Sequence, residues 1–126
     1  MSRACRIPYS RDSYMNSYSV RCIFEVPKAD FNLLEFLYEE RITVWRAADI
    51  DEALDKAVKE AEDYSEAYSL TYTGLAQAYW MFTETGLDGV EVFSLMRESN
   101  LSSDEYVNTF FSTGDERQQG KRMKET

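Results

Sequence analysis

The stretch EERITVWRAADIDEALDKAVKEAE, Glu39 to Glu62, decides the fold, because its hydrophobic period lengthens from two to about three and a half partway along. Up to Ala47 the residues alternate as in a strand, with Ile42 and Val44 on one face and Arg41, Thr43 and Trp45 on the other. From Asp49 onward Ile50, Ala53, Leu54, Ala57, Val58 and Ala61 recur at helical spacing and make one apolar stripe. Asp49 is a good N-cap, and Glu52 three residues on completes a capping box, a device that contributes about 1 kcal/mol. Half of the stripe is alanine, so the helix axis can come close to whatever lies beneath it. Ile50, Leu54 and Val58 each contribute roughly 1.5–3 kcal/mol when buried. The charged residues between them, among them Asp55, Lys56, Lys59, Glu60 and Asp63, fall outward, where solvation accounts for them.

Working outward from this stretch, Tyr18–Val26 alternates with Tyr18, Val20, Cys22, Phe24 and Val26 on one face, and Pro27 ends it by removing a ladder donor. Residues Asp30 to Tyr38, DFNLLEFLY, fit either a short helical turn or a hydrophobic loop. Tyr68–Phe82 alternates over a length of about 50 Å, too long for one strand here, so Gly74 marks a bulge or bend. The phase beyond it is open between Tyr79 and Trp80. Gly86-Leu87-Asp88-Gly89 reads as the turn of a hairpin whose returning strand is Val90–Met96. Ser102 with Glu105, flanked by the staple pair Leu101 and Tyr106, starts a second helix carrying Val107, Phe110 and Phe111. The expected fold is α+β: an antiparallel sheet of about four strands, in the order β-β-α-β-β-α, with one long amphipathic helix on one face and a short C-terminal helix. The expected organisation is a flexible N-terminal extension at 1–14, a single domain at 15–113 and a flexible tail at 114–126.

A chain of 126 residues with nine Tyr and seven Phe can bury one core without a metal or disulfide. The formal charge of −9 is uneven: the two ends are slightly basic, which leaves about −12 on 15–113. So acidic a body argues against general nucleic-acid binding, which needs clustered Lys and Arg, and suits a basic protein partner. No apolar run reaches membrane-spanning length and no secretory signal precedes the domain, so the expected setting is the cytoplasm, without membrane contact. Cys5 and Cys22 lack CxxC spacing, which argues against a thiolate metal site, and Cys22 reads as a core hydrophobe. There is no His, which removes Ser-His-Asp and Cys-His catalysis, and no Gly-rich phosphate loop. No catalytic residue, metal site or cofactor is expected, and catalysis is the less favoured role.

Phasing the strands by Ile42 and Val44 sets Arg21, Arg41, Trp45, Phe93, Leu95 and Arg97 together on the sheet face away from the long helix. That face is too apolar to be bare. Three occupants stay open: an intramolecular cover from the C-terminal helix or DFNLLEFLY, the mate of a homodimer, or an anionic or planar ligand held by the arginines and Trp45.

Three segments, MNSYSVRCIFE (15 to 25), YEERITVWRAADIDEALDKAVKEAEDY (38 to 64) and GLDGVEVFSLMRES (86 to 99), together resemble the small bacterial family described as domain of unknown function 4288. The resemblance implies a bacterial source and an α+β fold, and carries no activity or catalytic residue onto these positions. The function expected from the sequence is that of a small acidic protein-interaction module, of inhibitor or immunity type or a homodimer through the open face. The alternative is a small anionic-ligand binder or enzyme using the Arg/Trp face.

Overall fold

The computed structural model describes residues 15–30, 32–111 and 117–119. The extension expected at 1–14, with Cys5, lies outside the described residues, as does most of 114–126. The elements in chain order are β1 (Asn16–Val26), β2 (Phe36–Ala47), α1 (Ile50–Tyr68), β3 (Thr71–Trp80), β4 (Val90–Ser99), α2 (Ser103–Phe111) and β5 (Arg117–Gln119). The strands form one antiparallel sheet in the order β4-β2-β1-β3-β5. The expected α+β class and element order are borne out. Within the stretch read as a tail, Arg117–Gln119 pairs with Ala76–Ala78 of β3. No helix among the described residues is long and apolar enough to cross a membrane.

Local chemistry sets the helix boundaries. The Glu52 backbone N–H donates to Asp49 Oδ1 at 2.8 Å, while the Glu52 carboxylate accepts from the Ala48 N–H at 2.7 Å. α1 stops at Ser69, whose left-handed backbone (φ 59°, ψ 41°) turns the chain so that the Leu70 N–H reaches the Ser65 carbonyl at 2.8 Å. At α2 the Ser102 N–H donates to the Glu105 carboxylate at 3.1 Å, the reciprocal bond of a capping box. DFNLLEFLY divides: Phe36, Leu37 and Tyr38 open β2, while Asn32, Leu33, Leu34 and Glu35 belong to the loop before it.

β1 is the central strand, and it is apolar on both faces: Val20 and Phe24 point to one side and Ile23 to the other, all fully buried. On the first side Ala53, Leu54, Ala57 and Ala61 of α1 share a cluster with Ala76 and Ala78 of β3 and Val20 and Phe24 of β1. On the second, Tyr106, Val107 and Phe111 of α2 share a cluster with Leu75, Ile23 and Tyr38. The short helix is therefore the cover of the second face, one of the three occupants that the sequence leaves open.

Two expectations are corrected. The first is the hairpin at Gly86–Gly89. β3 pairs with β1 and β4 with β2, so the two strands flank the β1–β2 pair on opposite sides. Residues 81–89 run across the ends of β1 and β2 instead. The Met81 N–H donates to the Ser17 carbonyl at 3.0 Å, the Arg46 N–H to Asp88 Oδ1 at 3.0 Å, and the Gly89 N–H to the Val44 carbonyl at 2.7 Å. Gly86 and Gly89 have positive φ (78° and 74°) but serve two separate bends, and a Cβ on Gly89 would lie 3.3 Å from the Trp45 ring.

The second correction is the phase of β2. The pairs Cys22–Arg41, Val20–Thr43 and Tyr18–Trp45 put Arg41, Thr43 and Trp45 on the α1 side, and Ile42 and Val44 on the α2 side. Alternation separates the two faces of a strand but does not say which is which when both are covered. Tyr38 must lie under α2, stacked on Tyr106 with centroids 4.0 Å apart, and that fixes the parity of the whole strand. Gly74 (φ 94°) is the expected bulge: Cys22 pairs with Ala76 but Phe24 with Tyr72. Beyond it Trp80 pairs with Tyr18 on the α1 side and Tyr79 with Ser19 on the other, both partly exposed.

The alanine seam makes a direct prediction. Ala57→Leu forces a larger side chain between α1 and the sheet and should lower unfolding free energy by about 1–3 kcal/mol in urea titration. Ala67→Leu, on the exposed side of the same helix, should change it by less than about 0.5 kcal/mol.

Candidate functional site

Both helices lie over the β1/β3 half of the sheet, so the β2/β4 half must be finished some other way. Its two sides are finished differently. Two middle cross-strand rows on the α1 side end in polar residues: Ala76, Cys22, Arg41, Ser94 in one and Ala78, Val20, Thr43, Glu91 in the next. Two middle rows on the α2 side end in apolar ones: Gln77, Arg21, Ile42, Phe93 and then Ile23, Glu40, Leu95.

On the α1 side Arg41 is the organising group. Its Nη1 and Nη2 donate to the two oxygens of Glu60 at 2.7 and 2.8 Å, and its Nε donates to Glu91 at 2.6 Å. The guanidinium stacks over the Tyr64 ring, 3.7 Å from its centroid. Burial pulls its pKa down, but the bonds to the two carboxylates outweigh that and hold it above its ordinary value. Tyr64 in turn donates to Glu39, at 3.0 Å from each carboxylate oxygen, and Ser94 donates to the same carboxylate. Glu60 is thus no bystander on a solvated face. It stands seven residues after Ala53, at the border of the apolar stripe, where a carboxylate can reach the sheet. Among the described residues no group of three or more His, Cys, Asp or Glu is placed to hold a metal ion.

On the α2 side Tyr106 donates to the buried Glu40 at 2.8 Å, and Arg97 approaches the same carboxylate at 3.6 Å. Arg21 donates to the fully buried Gln77 at 2.7 Å and lies over the Phe111 ring, while Gln77 donates to the Phe111 carbonyl. α2 stops short of β4, so Ile42 and Leu95 are half-buried while Phe93 and Phe110 are each 46% exposed. Arg97 lies 5.9 Å from the Phe110 ring.

The six residues picked out by sequence therefore do not form one site. Arg41 and Trp45 belong to the α1 side, where Trp45 packs against the core cluster and donates to Thr43 at 2.7 Å. Arg21 is tied to Gln77 beside α2. Phe93, Leu95 and Arg97 stay together on the open half of the α2 side. Phe110 joins them from the C-terminal helix, the intramolecular cover that the sequence offers for this face. Sequence reasoning missed Met96, which faces α1 and joins Leu33, Leu34 and Leu37 in a shallow apolar groove.

That groove is built, not loose. Glu98 accepts from the Leu33 and Leu34 N–H groups, each at 2.8 Å, and from the Asn32 amide at 3.3 Å. The two backbone donors and Asn32 pull the Glu98 pKa below its ordinary value, chiefly through Leu34. The loop is held so that Leu33 stands 90% exposed beside Met96, itself 59% exposed. An apolar side chain on a pinned loop next to an apolar strand is the anatomy of a contact surface.

Two expectations follow from the buried network. Arg41→Ala leaves two carboxylates around an empty position and should cost about 3 kcal/mol in denaturant unfolding, the low end for a broken buried pair because Glu60 and Glu91 are partly exposed. Adding Glu60→Ala should recover part of that loss. The second concerns high pH. Burial, followed by nearby carboxylates, pushes Tyr38 and Tyr64 up to about 12, the Glu39 bond adding at Tyr64, and Tyr106 is raised likewise by burial and Glu40. These phenols keep their protons longer in the folded chain than in the unfolded one. The stability they lend is intact below about pH 10 and is lost as pH rises toward 12. Phenolate absorbance followed with circular dichroism should show late ionisation coincident with unfolding; one step near pH 10 with the fold intact would contradict it.

No family model, curated protein or solved structure matches this chain.

Proposed function

We infer that the protein is a non-catalytic interaction module that engages another polypeptide through the β2/β4 half of its sheet. The observation that carries this reading is the exposed apolar set Phe93, Phe110 and Met96, held on one ordered strand and a helix and flanked by the pinned Leu33. Large apolar side chains kept out of a core while the core beside them is closed fit an interface better than a fold defect. Arg97, half-exposed at the rim, supplies a charge that can orient a partner. The anionic-ligand alternative draws less support, because Glu60 and Glu91 engage Arg41 at all three nitrogens and Arg21 is turned onto Gln77.

The test is site-specific photo-crosslinking in cells of the natural source. Reactive groups at Phe93 or Phe110 should give discrete protein adducts, whereas the same group at Asp55 or Lys59 on the outer face of α1 should give none. Equal yields at all four positions, or no adduct at Phe93 and Phe110, would count against the reading.

A further inference from the structure

We propose that β4 is the seam of a two-fold dimer, in which the outer edges of two β4 strands pair antiparallel about Ser94 and two sheets become one. The proposal rests on the reading of the β2/β4 half as an interaction surface and names its occupant: a second copy of this chain. β4 ends the strand order, and among the described residues only β2 pairs with it. It is ten residues long, whereas the opposite edge ends in the three-residue β5. Sheets guard exposed edges with short strands, Pro, Lys or bulges. Val90–Ser99 has neither Pro nor Lys, and its one irregularity, opposite Ile42 and Thr43, leaves Phe93 to Ser99 in regular register. Val92, Phe93 and Met96 along it are 49%, 46% and 59% exposed.

Symmetry narrows the register. A two-fold axis normal to the sheet keeps both copies of α1 on one side, and directly opposed residues of antiparallel strands share a face, so the axis must pass through a residue. Through Ser94, Val92 faces Met96 and Phe93 faces Leu95, and each pair occurs twice. Through Leu95, Val92 would face Glu98 and Phe93 would face Arg97. Through Met96, Leu95 would face Arg97 and Phe93 would face Ser99. Of these three, only the Ser94 register gives Val92, Phe93 and Met96 each an apolar neighbour. Leu33, fixed beside Met96, lies on the side where Val92 of the second copy arrives.

Light scattering coupled to size exclusion, run on the full chain over a range of concentrations, tests this directly. The mass should rise toward twice the 14.7 kDa of one chain. V92K/M96K opposes lysines across both pairs and should raise the dissociation constant roughly 10-fold or more. V92K/M96E should restore association, because the introduced lysine of each copy meets the introduced glutamate of the other. A Met96-centred register would instead set the glutamates against each other. Both positions are exposed, and circular dichroism checks that the variants fold. A single-chain mass at every concentration, or a dimer indifferent to V92K/M96K, overturns the proposal. A monomer that still crosslinks through Phe93 to a different protein overturns self-pairing and leaves the interaction surface standing; a monomer without adducts removes both.

Discussion

The close approach of α1 to the sheet, alanine against alanine, is the constraint from which the rest follows. Ala53, Ala57 and Ala61 meet a floor that includes Ala76 and Ala78, and none of these residues holds the helix away. Small residues on both sides fix the lateral position of the helix as well as its height, because only over β3 and β1 is the floor low enough. Bulkier residues such as Trp45, or charged ones such as Arg41, occupy the positions to one side. The helix therefore cannot centre itself on a sheet whose axis lies nearer β1 and β2.

An off-centre helix leaves a strip of β2 and β4 without a lid, and the molecule closes that strip with side chains. On the α1 side a single guanidinium joins the helix, the inner strand and the edge strand through Glu60 and Glu91. A buried ion pair adds little net stability compared with an apolar filling of the same volume. Its value here is directional: carboxylates from two different elements must meet one fork, which specifies how α1 is rotated and where β4 docks. On the α2 side, among the described residues, Glu40 with Arg97 is the comparable plug, and apolar surface is left over.

How much of this was legible in the sequence divides along physical lines. α1 and α2 were readable because capping is local: Asp49 with Glu52, and Ser102 with Glu105, act within one turn of chain. Gly74 was readable because an over-long alternation needs a break. The pairing of β3 and β4 was not, since Gly86 and Gly89 look alike whether they make one tight turn or two corners of a crossing. Nor was the face of β2, because Ile42, Val44 and Tyr38 compete with Trp45 and Ala47 for the apolar side, and only the Tyr38–Tyr106 stack decides. With β2 inverted, a supposed six-residue site separated into a structural ion pair, a core tryptophan and a smaller exposed patch.

The crossing of 81–89 also has a consequence in time. β2 is complete at Ala47, but the strand that closes its outer edge ends at Ser99, after α1 and β3 have been made. At synthesis rates of about 5–20 residues per second, that edge waits roughly 3–10 s for its neighbour. During this interval the half-built sheet of β1, β2 and β3 presents β2 to the cell much as the finished sheet presents β4. The charges of Glu39, Glu40 and Arg41, at the middle of that strand and still without their partners on β4 and α2, make it a poor template for other chains while it waits.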